Sequence, residues 1–146
     1  MSILNYKIDK IITERFNLEK IGRVNNLRFS LSFNFKVSVE QSVICCISEF
    51  KYKAKDVNVM ELSLECYFKI LNNNLQNLIK DNILTIDTET LQYLASIAVG
   101  AARGEIHARC ELEDSPLQNV VLPPVNLTKI ITTPAEFIIE PDNADY

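Results

Sequence analysis

Residues 27–39 read LRFSLSFNFKVSV. Every odd position is apolar: Leu27, Phe29, Leu31, Phe33, Phe35, Val37 and Val39. Every even position between them is polar: Arg28, Ser30, Ser32, Asn34, Lys36 and Ser38. A helix scatters such residues round its circumference, whereas a strand gathers the apolar ones on one face. At about 3.3 Å per residue the strand is roughly 43 Å long. So long an apolar face needs equally long strands beside it and a cover laid across it.

Two further segments repeat the pattern. In Val43–Ala54, Ile44, Cys46, Phe50 and Tyr52 share one phase, and Val43, Cys45 and Ile47 the other. In Val57–Leu71, Met60, Leu62, Leu64, Cys66, Phe68 and Ile70 alternate with Glu61, Ser63, Glu65, Tyr67 and Lys69. Upstream, Ile3–Phe16 carries Ile8, Ile12 and Phe16 in one phase and Ile11 in the other, which suits a bulged or edge strand. The connection 17–26 is long for a hairpin, so the first two strands are not expected to be neighbours. Successive long strands with one polar face predict an antiparallel sheet rather than βαβ units.

Asp87 is a good N-cap for a helix from Thr88 to about Glu111, with Glu89 in its first turn. Leu91, Leu94, Ala95, Ala98 and Ala102 form one stripe; Tyr93, Ile97, Gly100 and Gly104 form another, roughly opposite. A helix on one sheet needs a single apolar stripe, so the second predicts burial against another subunit. Tyr93, Ile97, Gly100, Ala101 and Gly104 are the expected contact residues, the small ones permitting close approach. Glycine costs about 1 kcal/mol per helix position, which predicts a packing reason for Gly100 and Gly104. Residues 75–86 have no clear period. Asn126 is read as the cap of a short helix, Leu127–Ile131, which Pro134 stops. The tail, 135–146, is read as acidic and partly disordered.

The 146 residues predict one domain, 1–146. A composition of 47% hydrophobic and 23% charged residues is ordinary for a globular chain. The net charge of −4 points to neither nucleic acid nor an anionic membrane. No apolar run reaches signal-peptide or transmembrane length, so a cytoplasmic protein is expected. Four cysteines without a CxxC, and a single histidine, give no metal-ligand spacing. They read as packed, reduced thiols. His107 and Cys110 lie one helical turn apart, but no third group orients them, and a solvated histidine is the better reading. Three glycines leave no room for a phosphate loop. No catalytic residue, cofactor or metal site is expected.

What remains is apolar side chains outside the regular elements. Leu18, Ile21 and Val24 lie in the connection after the first strand; Val125, Leu127, Ile130 and Ile131 lie around the PPVN turn. One by one they read as core edge; together they read as an apolar groove.

The segment Leu94–Ile131 resembles the C-terminal half of the SecB family of protein-export chaperones. The likeness rests on Arg103-Gly104 near the end of a long helix, and on Pro124-Val125-Asn126 before a second, short helix. The order of strands agrees more loosely. The stretch from Glu105 to Leu122 is longer than in that family, and the tail differs. The resemblance implies an α+β fold, with a four-stranded antiparallel sheet followed by one long and one short helix. It implies a dimer of dimers that holds unfolded or export-bound polypeptides in apolar grooves without ATP. It names the SecA motor or, for some relatives, an antitoxin as partner. Two other readings use the same pattern. One is an adaptor with a single fixed partner. The other is a small-molecule-binding protein with Asp87 or Glu89 beside a pocket, though both residues read better as cap and first-turn charge.

Overall fold

The computed structural model describes residues 4–22, 26–72 and 74–140. Four long strands come first: β1 (Tyr6–Leu18), β2 (Leu27–Ser38), β3 (Val43–Ala54) and β4 (Val57–Ile70). They form one antiparallel sheet in the order β1-β4-β3-β2. The first two strands therefore occupy opposite edges. A long connection is required because it crosses the whole sheet.

Pairing follows the alternation. Phe35, Cys46 and Cys66 stand opposite one another across three strands, as do Leu31, Phe50 and Leu62. These rows share the inner face. The β2–β3 register runs from Leu27↔Ala54 to Ser38↔Val43 without interruption. β1 is different. Its register against β4 shifts between Ile8 and Lys10 and again between Thr13 and Arg15. Each extra residue inverts the phase. Ile8, Ile11 and Phe16 thus oppose inner residues Phe68, Cys66 and Leu62, whereas Ile12 opposes Glu65 on the outer face. The mixed phase of residues 3–16 pointed to a bulged or edge strand; β1 is both, and its bulges put Ile8 and Ile12 on opposite faces.

Helix α1 (Thr88–Leu112) lies across β3 and β4. Asp87 caps it by accepting from the backbone N–H of Thr90 at 3.2 Å. Its first half buries Leu91, Leu94, Ala95 and Ala98 in a cluster with Ile44, Cys46, Cys66 and Phe68. Its second half buries Val99, Ala102, Ile106 and Cys110 with Phe50, Tyr52, Met60 and Leu62. Toward β1, Thr13 Oγ1 donates to Glu105, which also accepts from Arg109 Nε at 2.8 Å. The Arg109 guanidinium sits 5.0 Å from the centre of the Phe16 ring. This clip joins the helix to the bulged edge strand.

Residues 75–86 form a short 3-10 turn, Gln76–Leu78, and then a small hairpin, β5 (Ile79–Lys80) and β6 (Ile83–Ile86). Asp81 and Asn82 both take positive φ at its turn, the combination a two-residue hairpin favours. The expected tail contributes a third strand to it, β7 (Ala135–Ile138), antiparallel to β6. Its start is ordered because Phe137 packs against the first buried cluster; 141–146 lie outside the described residues. The loop after α1 contains a second 3-10 turn, Pro116–Asn119, that buries Leu117. The short helix α2 is Leu127–Ile130. Asn126 stands at its N-cap but makes no side-chain cap, because its Oδ1 accepts from Thr128 Oγ1 at 2.6 Å instead. Among the described residues no helix is long and apolar enough to cross a membrane.

Candidate functional site

One helix is too narrow to cover a four-stranded sheet. α1 shields the inner rows of β3 and β4 completely and those of the edge strands only in part. Along β2 the inward row Phe29, Leu31, Phe33, Phe35 and Val37 stays half-buried. The segment 120–131 runs back along α1. Leu122 and Ile131, 4% and 8% exposed, are its anchors. Arg103 Nη2 donates to the Pro123 carbonyl at 3.2 Å, and Gln92 Nε2 to the Ile131 carbonyl at 2.9 Å. Both tethers come from α1. Between them Val120 and Val125 pack at the margin of the second cluster, to which Phe29, Leu31 and Phe33 also belong. Leu127 packs at the margin of the first, to which Phe33, Phe35 and Val37 also belong. The PPVN turn and α1 enclose an open depression of about 620 Å³, bordered by Tyr93, Ser96, Pro124, Val125 and Leu127.

The expected groove residues do not all meet. Val125 and Leu127 line that depression. Leu18 and Ile21 line a separate cavity of about 330 Å³ at the far end of α1, with Glu113, Ser115 and Pro116. Leu18 is also the last residue of β1 rather than part of the connection. Val24 lies outside the described residues. Ile130 is 45% exposed, whereas Ile131 is 8% exposed and belongs to the first buried cluster, which leaves it little surface to offer. The half-buried row of β2 is apolar surface that the expected residues did not include. Its signal was present in the alternation of residues 27–39, which offers more apolar face than one helix can cover.

Much of the outer side of α1 is uncovered by the described residues. Tyr93 is 51% exposed, Gly100 and Gly104 are exposed, and Ile97 and Ala101 are half-buried. A Cβ built at Gly100 or Gly104 meets nothing within 4 Å. Neither glycine has a packing reason within one chain.

His107 is solvated: Nε2 lies 3.2 Å from Glu111 and Nδ1 3.2 Å from the Gln118 carbonyl. Cys110 is fully buried, and burial raises its pKa, which disfavours the nucleophilic thiolate. All four cysteines are free and buried. Burial, and then the neighbouring thiol of Cys45, push Cys66 up to about 11. Among the described residues no three His, Cys, Asp or Glu side chains gather as a metal site would require.

No family model and no curated protein matches the sequence. Solved structures do. One is a SecB-like chaperone of Mycobacterium tuberculosis in complex with a peptide from the HigA1 antitoxin. It superposes with a TM-score of 0.51 at 11% identity, over 83% of this chain and 91% of that one. At that identity the likeness is one of fold.

Proposed function

We propose that this chain is a polypeptide-binding chaperone that holds extended, apolar segments without ATP. The observation that carries the reading is the half-buried inner row of β2, together with the half-buried Val120, Val125 and Leu127 of the segment 120–131. Each leucine-sized side chain that a client buries there is worth roughly 1.5–3 kcal/mol. Several such contacts outweigh the ordering of a client segment while leaving binding reversible. The reading needs no catalytic group, and the fold likeness to a SecB-like chaperone supports it.

The oligomer belongs to the same proposal. The strip of Tyr93, Ile97, Gly100, Ala101 and Gly104 is assigned to contact with a second copy, in a dimer of dimers of single-domain chains in the cytoplasm. Unfolded polypeptides are the clients, and the further partner is the SecA motor or an antitoxin. A narrower reading has one fixed antitoxin client; it is favoured by the antitoxin peptide in the Mycobacterium structure. Light scattering of a model unfolded protein tests the proposal. Suppressed aggregation by this chain, at near-stoichiometric amounts and without nucleotide, is the expected result. Unchanged scattering, together with no binding of unfolded protein, overturns the general chaperone.

A further inference from the structure

The two edges of the main sheet are not alike. The free edge of β1 is broken by its two register shifts, a device that blunts strand edges. β2 pairs with β3 along 12 residues without a shift and, among the described residues, has no strand on its other side. In an antiparallel strand every second residue turns both its N–H and its C=O away from its partner. Among the described residues none of those groups on β2 has a backbone partner beyond β3. A long, flat, unpaired edge of this kind is a template for another strand.

Charge identifies the occupant. On the outer face Arg28 stands directly opposite Lys53 on β3, Ser30 opposite Lys51, and Lys36 opposite Cys45; the one carboxylate in this span, Glu49 opposite Ser32, is paired with Arg15 at 3.5 Å. Like charges opposed across a ladder repel. Among the described residues no carboxylate comes within 4.0 Å of Arg28, Lys36 or Lys53. A second copy of β2 would bring Arg28 and Lys36 to the same edge and add to the repulsion. An acidic strand would relieve it.

We infer that the free edge of β2 takes up an extended client segment as a fifth strand, one that alternates apolar with acidic residues. This rests on the chain being a polypeptide binder. The apolar side chains of the segment continue the inner row of Phe29, Leu31, Phe33 and Phe35. Its carboxylates lie on the outer face beside Arg28 and Lys36. Those two are eight residues apart, roughly 26 Å along the strand, so a matching segment carries acids at both ends of that span. Backbone pairing supplies affinity for any extended chain, and the alternation supplies selectivity.

The probe is a labelled peptide alternating valine and glutamate, matched in length to β2, with binding read by fluorescence anisotropy. Two backbone-methylated versions carry the same number of N-methyl groups, one set on each edge of the peptide strand. One set blocks pairing with β2 and the other faces solvent. The first is expected to weaken binding by about tenfold or more and the second by about twofold or less. A valine–lysine peptide is expected to bind weakly to the native chain and better to the R28E/K36E variant. Equal effects of the two methylated peptides overturn strand addition. So does a self-association of the native chain that R28E/K36E abolishes while the probe does not bind. Aggregation suppression is measured on the same samples. If it persists while the two methylated peptides bind alike, the edge assignment falls and the chaperone reading stands. If suppression and probe binding are both absent, the reading on which it rests falls as well.

Discussion

Ser48 sits at the centre of β3 on the inner face, opposite Phe33 and Leu64, and is fully buried. Its hydroxyl has no hydrogen-bond partner. A buried unpaired hydroxyl destabilises by its desolvation, so removing it relieves strain on the fold at little loss of packing. Ser48→Ala is therefore expected to hold or raise the melting temperature, by up to about 1 kcal/mol of stability. A loss of more than that, measured by urea unfolding, would reveal an unseen partner. The neighbouring thiols carry a pH signature. Cys66, raised by burial to about 11, keeps its proton in the folded state where the unfolded chain gives it up. Its contribution to stability is complete below about pH 9 and is lost as the pH climbs through 11. The shift corresponds to about 2–3 kcal/mol. Urea midpoints should hold level from neutral pH to about 8.5 and fall beyond it. Cys66→Val should remove part of that fall. Identical slopes in the two proteins would show that Cys66 does not titrate as its burial requires.

Among the elements, α1 decides the assembly. With open space around Gly100, a larger side chain there meets no obstacle within one chain and improves helix propensity by about 1 kcal/mol. Gly100→Leu should then leave the isolated chain as stable as before, or more so, while weakening any assembly built through the bare strip. Sedimentation velocity separates the two effects. An unaltered oligomer would move the interface elsewhere, and a well-folded native monomer at micromolar concentration would remove it. How far such elements can be read from sequence depends on whether their period is kept. β2 keeps a strict alternation, as does β4 from Met60 onward, and their faces follow from it. β1 does not, because two extra residues invert its phase, and nothing local in the sequence marks where. β7 was hidden for another reason. Its Ala135–Ile138 is ordered by pairing with β6, fifty residues away in sequence, against an acidic and proline-flanked context. The β5–β6 turn was legible in principle, since Asp81-Asn82 is a pair that accepts left-handed backbone.

At the scale of the whole molecule, a single long helix on a wide sheet leaves two apolar margins. At the end of the segment 120–131, one isoleucine reaches solvent and its chain neighbour does not. Ile130 is 45% exposed on α2, whereas Ile131 is 8% exposed and held among Ile86, Leu91 and Leu94 of the first cluster. Composition cannot separate these two isoleucines. Only the turn of α2 does, by directing consecutive side chains to different sides. The pair therefore gives an internal control for the binding border. Ile130→Ser removes surface that a client would cover and takes almost nothing from the core. Its melting temperature should stay within about a degree or two, because exposed substitutions rarely exceed 0.5 kcal/mol. Its affinity for a model unfolded protein should fall several-fold, as expected for one lost aliphatic contact among several. Ile131→Ser instead puts a hydroxyl and a void into the core and should cost about 2–5 kcal/mol. Below its lowered midpoint, the fraction that remains folded should bind clients as the native chain does. The two variants thus exchange stability for affinity in opposite directions. Equal affinity of Ile130→Ser and native protein, measured by titration well below either midpoint, would exclude α2 from the binding surface and leave β2 alone to carry it.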